Sequence, residues 1–307
     1  MKVLIFGSTG LVGSSVFKIL NTKSSYKEIV GSTRNTTNLF DYEETFNCIN
    51  KVKPDIVINA AAKVGGILAN NTFRSEFIIE NLKINLNILE SLKSLPNIKL
   101  INLGSSCIYP LDAKNPIKEE YVMTGSLEPT NSPYAMAKLT AIEIGDALTK
   151  QYGTKVVNLM PTNLYGPNDN FSENESHVIP GLIARMHKAK LKEDDTFNIW
   201  GTGEPLREFL YAEDLAEAID FVIQNDINEK LLNVGSGKEI TIKNLSNLIK
   251  EIVGFEGKLN FDSSKPDGNP RKLLDSSKIF NLGWEPKTDL NIGLDTTYKW
   301  YLESLNL

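Results

Sequence analysis

Cysteine is nearly missing: Cys48 and Cys107 are the only two in 307 residues. Two thiols cannot form a disulfide framework, and a chain this long buries enough surface to fold without one. Histidine is as scarce. His177 and His187 are the whole supply, no Cys/His cluster offers ligands to a metal, and no metal site is expected. There is no basic excess either. With a net charge of −5, no global field draws the chain to nucleic acid or anionic lipid, although local arginines can still bind an anionic small molecule. Long hydrophobic runs are absent. The apolar start of MKVLIFGSTG stops at a glycine within a few residues, too short for a signal peptide or a membrane span of ~20 residues. A soluble, reduced, cytoplasmic protein is expected, without nucleic-acid or membrane partners.

What is present is an alternation. KVLIF (2–6), EIVGST (28–33), DIVIN (55–59), IKLINLG (98–104) and KVVNLM (155–160) read as strands. GLVGSSVFKIL (10–20), FIIENLKINLNILESLKSL (77–95) and SPYAMAKLTAIEIGDALTKQYG (132–153) have helical spacing. Continuous apolar strands between helices predict a parallel sheet covered on both faces. After Pro161 the alternation loosens into the polar, turn-rich PTNLYGPNDNFSENESHV, the helical IPGLIARMHKAK, and a mixture of short strands and helices. The expected fold class is α/β: a doubly wound, Rossmann-like parallel sheet with a smaller, discontinuous α/β substrate domain. Residues 1–163 with 209–236 are expected to form the dinucleotide-binding domain, and 164–208 with 237–307 the substrate-binding domain. The loop at 111–131 is long for a compact domain, and such loops are usually functional.

GSTGLVG places Gly7, Gly10 and Gly13 between the first strand and the first helix. The spacing is G-x-x-G-x-x-G rather than the G-x-G-x-x-G dinucleotide fingerprint, but the physics is shared. Glycines let the backbone turn tightly and approach a pyrophosphate seated on a helix N-terminus. A plain tight turn would use the same residues; the position between strand and helix favours the dinucleotide. After the second strand, GSTRN offers Arg34 where an NAD site usually has an acid for the ribose hydroxyls. An arginine there can pair with a 2′-phosphate, which favours NADP(H). Gly7, Gly10, Leu11, Val12, Gly13 and Arg34 are the cofactor-binding candidates on this side.

YAMAK puts Tyr134 and Lys138 at i and i+4, on one helical face. A tyrosine can donate a proton to a carbonyl receiving hydride, and a nearby lysine charge lowers its pKa from ~10. The pair recurs by chance. It is far more specific with the glycine loop, NAAA (59–62) and Ser105 after the fourth strand. Cys107, in LGSSCIYP, reads by itself as a small buried residue.

These stretches, with NAAAKVGGILANNT, LEPTNSPYAMAK, MPTNLYGPNDNF, SHVIPGLI, WGTGEPLREFLYAEDLA and SKPDGNPRKLLD, resemble the extended short-chain dehydrogenase/reductases, and among them the GDP-L-fucose synthase family, nearly end to end. The resemblance implies NADPH-dependent conversion of GDP-4-keto-6-deoxy-D-mannose to GDP-L-fucose, by epimerisation at C3 and C5 and reduction at C4. It implies catalytic roles for Tyr134, Lys138, Ser105, Cys107 as the epimerisation base and His177 as the opposite-face acid, with Lys138 and His177 also touching cofactor. For the GDP-sugar it implies Asn163, Arg185, Trp200, Arg207 and Lys265. It suggests a homodimer through the helices at 77–95 and 132–153. Another nucleotide-sugar enzyme of the superfamily is the rival. A 4,6-dehydratase would carry an acid beside the serine, where Ser106 and Cys107 stand. A 4-epimerase does not need the Cys107/His177 pair. A non-enzymatic dinucleotide sensor tends to lose the Ser, Tyr or Lys, and all three are present.

Overall fold

The computed structural model describes residues 1–173, 175–265 and 267–305. Its first half runs β1 (Lys2–Phe6), α1 (Leu11–Asn21), β2 (Glu28–Ser32), α2 (Tyr42–Val52), β3 (Ile56–Asn59), α3 (Ile67–Thr72), α4 (Arg74–Lys93), β4 (Lys99–Leu103), α5 (Ser132–Tyr152) and β5 (Val156–Pro161). The second half runs β6 (Asn163–Tyr165), α6 (Val178–Leu191), β7 (Thr196–Trp200), β8 (Leu206–Tyr211), α7 (Ala212–Gln224), β9 (Leu231–Val234), β10 (Glu239–Thr241), α8 (Ile242–Val253), β11 (Lys258–Asp262), β12 (Arg271–Lys272), α9 (Ser277–Asn281) and α10 (Leu290–Ser304).

The expected doubly wound sheet is there. Six parallel strands stand in the order β2-β1-β3-β4-β5-β9. Strand periodicity of two buries both faces: Val3 and Ile5 share one core with Leu215 and Ile219 of α7, while Leu4 and Phe6 share another with Ile88 of α4 and Ala141 of α5. A second group of strands gathers around β8, with β6, β10 and β12 beside it, and β7 pairs β11. Their core is separate, built from Ile183, Met186, Phe197, Phe209, Leu245 and Leu294. The helix expected from residue 77 begins earlier, at Arg74, because Phe73 (φ −106°, ψ 47°) breaks it from the short α3. In the long 111–131 loop a single 3-10 turn forms at Glu119–Tyr121.

The strands are not wholly apolar inside. Asn59, Asn102 and Asn158 occupy the same register on β3, β4 and β5, and all three are buried. Asn59 Nδ2 donates to Asn85 Oδ1 (3.1 Å) and Asn102 Oδ1 (3.0 Å). Asn102 Nδ2 donates to Asn158 Oδ1 (2.9 Å), whose own amide donates to the Lys230 carbonyl (3.0 Å). Each buried amide is satisfied by the next, so the ladder fixes strand register where hydrophobic contacts alone tolerate slippage. Asn102→Leu would strand a donor on Asn59 and an acceptor on Asn158. The expected cost is about 2–5 kcal/mol of unfolding free energy, from two unmet buried groups, measured by urea denaturation; a loss under about 1 kcal/mol would mean the neighbours find other partners.

Candidate active site

Parallel strands deliver their carboxyl ends to one edge, and the loops there hold the candidate residues. The glycine loop follows β1. Gly7 has φ +77°, and a Cβ on it would lie 2.9 Å from the Ala60 backbone beyond β3. A Cβ on Gly13 would lie 2.0 Å from the Gly7 carbonyl oxygen, so any side chain would push α1 off the loop. Gly10 is different: its missing Cβ faces nearly open space. The N-terminus of α1 has no side-chain cap, and its first amides lack intrahelical acceptors. An open cradle above uncapped amides fits a dinucleotide pyrophosphate, which Leu11, Val12 and Gly13 would meet with backbone N–H groups. Arg34 lies just past β2, exposed; among the described residues only Arg271 of the arginines is in an ion pair.

Four of the expected catalytic residues converge at the end of β4. Ser105 caps the turn after it and accepts the Cys107 N–H at 3.2 Å. Lys138, buried on α5, donates from Nζ to the Leu103 carbonyl at 2.7 Å and stands 5.7 Å from the Tyr134 ring centroid. Tyr134 is braced edge-on by Phe77 of α4, with centroids 6.3 Å apart. Burial raises the Tyr134 pKa well above the ordinary phenol value, the charge at Cys107 adds to this, and the Ser105 hydroxyl opposes it. Burial lowers Lys138 to about 8. The site therefore holds a neutral phenol beside a lysine that changes charge near neutrality, a combination suited to proton delivery at a carbonyl oxygen.

His177 is the N-cap residue of α6. Its imidazole is open to water on one side, yet dense walls around it disfavour charge and lower its pKa. The segment just before it packs on the Gly65–Gly66 turn, where the Gly66 N–H donates to the Glu175 carbonyl at 3.0 Å. Further along α6, Arg185 donates from Nε to Gly181 (3.2 Å) and lies 5.3 Å from the Phe197 ring centroid. Arg207 on β8 donates to the Leu206 carbonyl (2.8 Å). Burial lowers both guanidinium pKa values. Neither is in an ion pair among the described residues, and a desolvated guanidinium in that state can take an anion. Asn163 on β6 donates its amide to the Glu208 carbonyl (2.9 Å). Trp200 and Lys265 are exposed and face each other, with Nζ 5.8 Å from the ring centroid; no hydrogen bond or ion pair among the described residues joins them to the Tyr134 cluster. Pro266 of the SKPDG motif lies outside the described residues. His187 bonds Tyr298 in the core (2.9 Å) and Cys48 packs partly buried against α4's side of the sheet, neither near the cleft chemistry.

Three residues were missed by sequence reasoning. Asn131 and Lys272 both reach the Cys107 sulphur, at 3.6 and 3.8 Å. Glu208 is fully buried and accepts the Gly237 and Leu274 N–H groups at 2.8 and 3.1 Å. All three lie inside distinctive stretches, LEPTNSPYAMAK, NPRKLLD and PLREFLY. The signal was present, but nothing in the spacing brings 107, 131 and 272 to one atom.

A family model described as the NAD dependent epimerase/dehydratase family matches residues 3–235. The chain is 47% identical over 304 residues to GDP-L-fucose synthase 1 of Arabidopsis thaliana, covering 99% of this chain and 94% of that one. It is 42% identical over 312 residues to GDP-L-fucose synthase of Escherichia coli strain K12, covering 99% and 97%. Among solved structures, the GDP-mannoheptose C4 reductase of Campylobacter jejuni with NADP bound superposes with a TM-score of 0.88 at 33% identity, over 98% of both chains.

The buried Lys138 makes stability depend on pH in a calculable direction. Its folded pKa of about 8 lies below the ordinary 10.5. Between those values the unfolded chain holds a proton that the folded one has released, so this group's contribution to stability rises with pH across that window. Wild type should gain about 1–2 kcal/mol relative to Lys138→Met between pH 7.5 and 9.5 in urea unfolding without ligand. A difference that stays constant with pH would show that Lys138 titrates normally.

Proposed function

The chain belongs to the NAD dependent epimerase/dehydratase family, and from that membership we propose that it is a bifunctional, NADPH-dependent enzyme that converts GDP-4-keto-6-deoxy-D-mannose to GDP-L-fucose. The relatives at 42–47% identity carry the substrate assignment. The observation that carries the two-reaction reading is the thiol of Cys107 beside Ser105 and Tyr134 in one cleft.

C3 and C5 are both α to the C4 ketone, so one base and one acid treat both carbons. Cys107 as thiolate takes the proton: the C–H bond breaks, S–H forms, and the electron pair moves onto the C4 oxygen as an enolate. Ser105 and Tyr134 hydrogen-bond that oxygen. His177 as imidazolium gives its proton to the opposite face of that carbon while the electron pair returns from oxygen, which inverts the centre; its lowered pKa makes the proton easier to release. When bound, the reduced nicotinamide supplies hydride to C4. Tyr134 gives its proton to the C4 oxygen, and the Lys138 ammonium compensates the phenolate left behind. Arg185 and Arg207 hold the diphosphate; Asn163, Trp200 and Lys265 contact sugar and nucleotide.

The same reading divides the chain into a dinucleotide domain (1–163 with 209–236) and a substrate domain (164–208 with 237–307); two separate cores support the division, although Ile279 and Trp284 pack in the first core and Phe209 and Tyr211 in the second. It makes the protein a homodimer through α4 and α5, on which Ile79, Leu86 and Met136 are exposed. Two free thiols suit a reducing cytoplasm.

Turnover with NADPH and the keto-sugar should give GDP-L-fucose by NMR. A product reduced at C4 with C3 and C5 unchanged would leave a reductase without epimerase activity. Cys107→Ser should lose deuterium incorporation at C3 and C5 in D₂O without reductant by about 10²–10⁴-fold, the usual worth of a general base; exchange at the wild-type rate would remove the thiol from that role. Arg34→Ala should raise KM for NADPH about tenfold or more while leaving that for NADH nearly unchanged, because a charged hydrogen bond worth about 1.5–3 kcal/mol is lost only with the phosphate. An equal effect on both cofactors would place Arg34 outside the site.

A further inference from the structure

Among the described residues two side chains donate to the Cys107 sulphur, the Asn131 amide nitrogen at 3.6 Å and the Lys272 ammonium at 3.8 Å, and Tyr134 is near enough for their charges to interact. A sulphur accepts such donors weakly as a thiol and far more strongly as a thiolate. With the Asn131 amide nitrogen turned to sulphur, its Oδ1 is left buried without a partner among the described residues.

Lys272 is also unusual in what it lacks. It is half-buried, and no carboxylate among the described residues pairs with it, whereas its neighbour Arg271 is committed to Glu239 through bonds of 2.6 to 3.0 Å. Strand alternation explains the split, sending Arg271 and Lys272 to opposite sides of β12. The backbone that presents Lys272 is held tightly. β12 pairs with β8, placing Lys272 opposite Arg207. The next two N–H groups are taken by Asn115 Oδ1 (Leu273, 2.7 Å) and by the buried Glu208 carboxylate (Leu274, 3.1 Å).

We propose that Lys272 is a positioning residue for Cys107: its ammonium, assisted by the Asn131 amide, holds the thiol in the thiolate form. Ionisation passes the S–H proton to solvent and leaves a sulphur anion between two donors, the microenvironment that makes a cysteine reactive. The consequence for C3 and C5 proton removal rests on the epimerase reading above, but the pairing itself does not. A lysine whose charge does not act on the sulphur would leave the free thiol's reactivity unchanged.

The test uses the full chain with Cys48→Ala, so that Cys107 is the only thiol, and measures its alkylation by iodoacetamide at pH 7 without substrate. Lys272→Met should slow alkylation about tenfold, as expected for removing one nearby cation, while Lys272→Arg stays within about threefold of the parent. Deuterium incorporation at C3 and C5 should fall in the same order. Alkylation at the parent rate in Lys272→Met overturns the proposal. If that variant does not fold, judged by circular dichroism, Lys272→Gln against Lys272→Arg makes the comparison, and equal rates in the two overturn it. A parent that incorporates no deuterium while alkylation still follows the charge at 272 refutes the epimerase reading and supports the pairing.

Discussion

One hydrogen bond organises the candidate site: the buried Lys138 ammonium on the Leu103 carbonyl at 2.7 Å. It ties α5 to the end of β4. Tyr134 is one helical turn before Lys138, and Ser105 and Cys107 stand two and four residues beyond Leu103, so the clamp draws the two segments together. The bond is also costly. An ammonium out of water is disfavoured, which is why Lys138 falls to about 8.

The second constraint is Glu208. A carboxylate with no exposed surface accepts backbone N–H groups from the segment after β9 and from Leu274, two residues beyond β12. Burial raises its pKa, and those backbone donors oppose the rise. Through it, β8 with Arg207 and β12 with Lys272 are locked to the end of the large sheet. The Lys138 clamp thus holds the phenol near the thiol, and the Glu208 staple holds the strand of Lys272 beside that of Arg207, whose guanidinium, like that of Arg185, is desolvated by burial. That charge pattern suits an anionic substrate on a protein whose net charge is −5, because local desolvation outweighs a distant, screened excess.

Much of this was legible in the residue order. Alternating apolar strands and amphipathic helices determined a parallel sheet covered on both faces, because continuous apolar strands must be buried on both sides. Gly7 and Gly13 announced a tight strand–helix turn, and the backbone approach of 2.0–2.9 Å at their missing Cβ positions is the reason they are glycines. Tyr134 and Lys138 were readable because a helix places i and i+4 on one face. Ser105 and Cys107 were readable because they follow a strand end directly. The asparagine ladder was not read: in sequence, single polar residues in apolar runs look like noise, and only strand register aligns them.

What the sequence by itself determined is local: element type, the strand-end loops, and the pairs that one helix or one turn holds together. What only the tertiary structure decided is convergence over long separations. Asn131 and Lys272 meet Cys107 from 24 and 165 residues away, and Glu208 meets Leu274 across 66. Helical and strand periodicities carry no information at those distances. Such contacts arise from the packing of β12 against β8 and of α5 against β4, which the sum of many buried side chains sets and no short motif encodes.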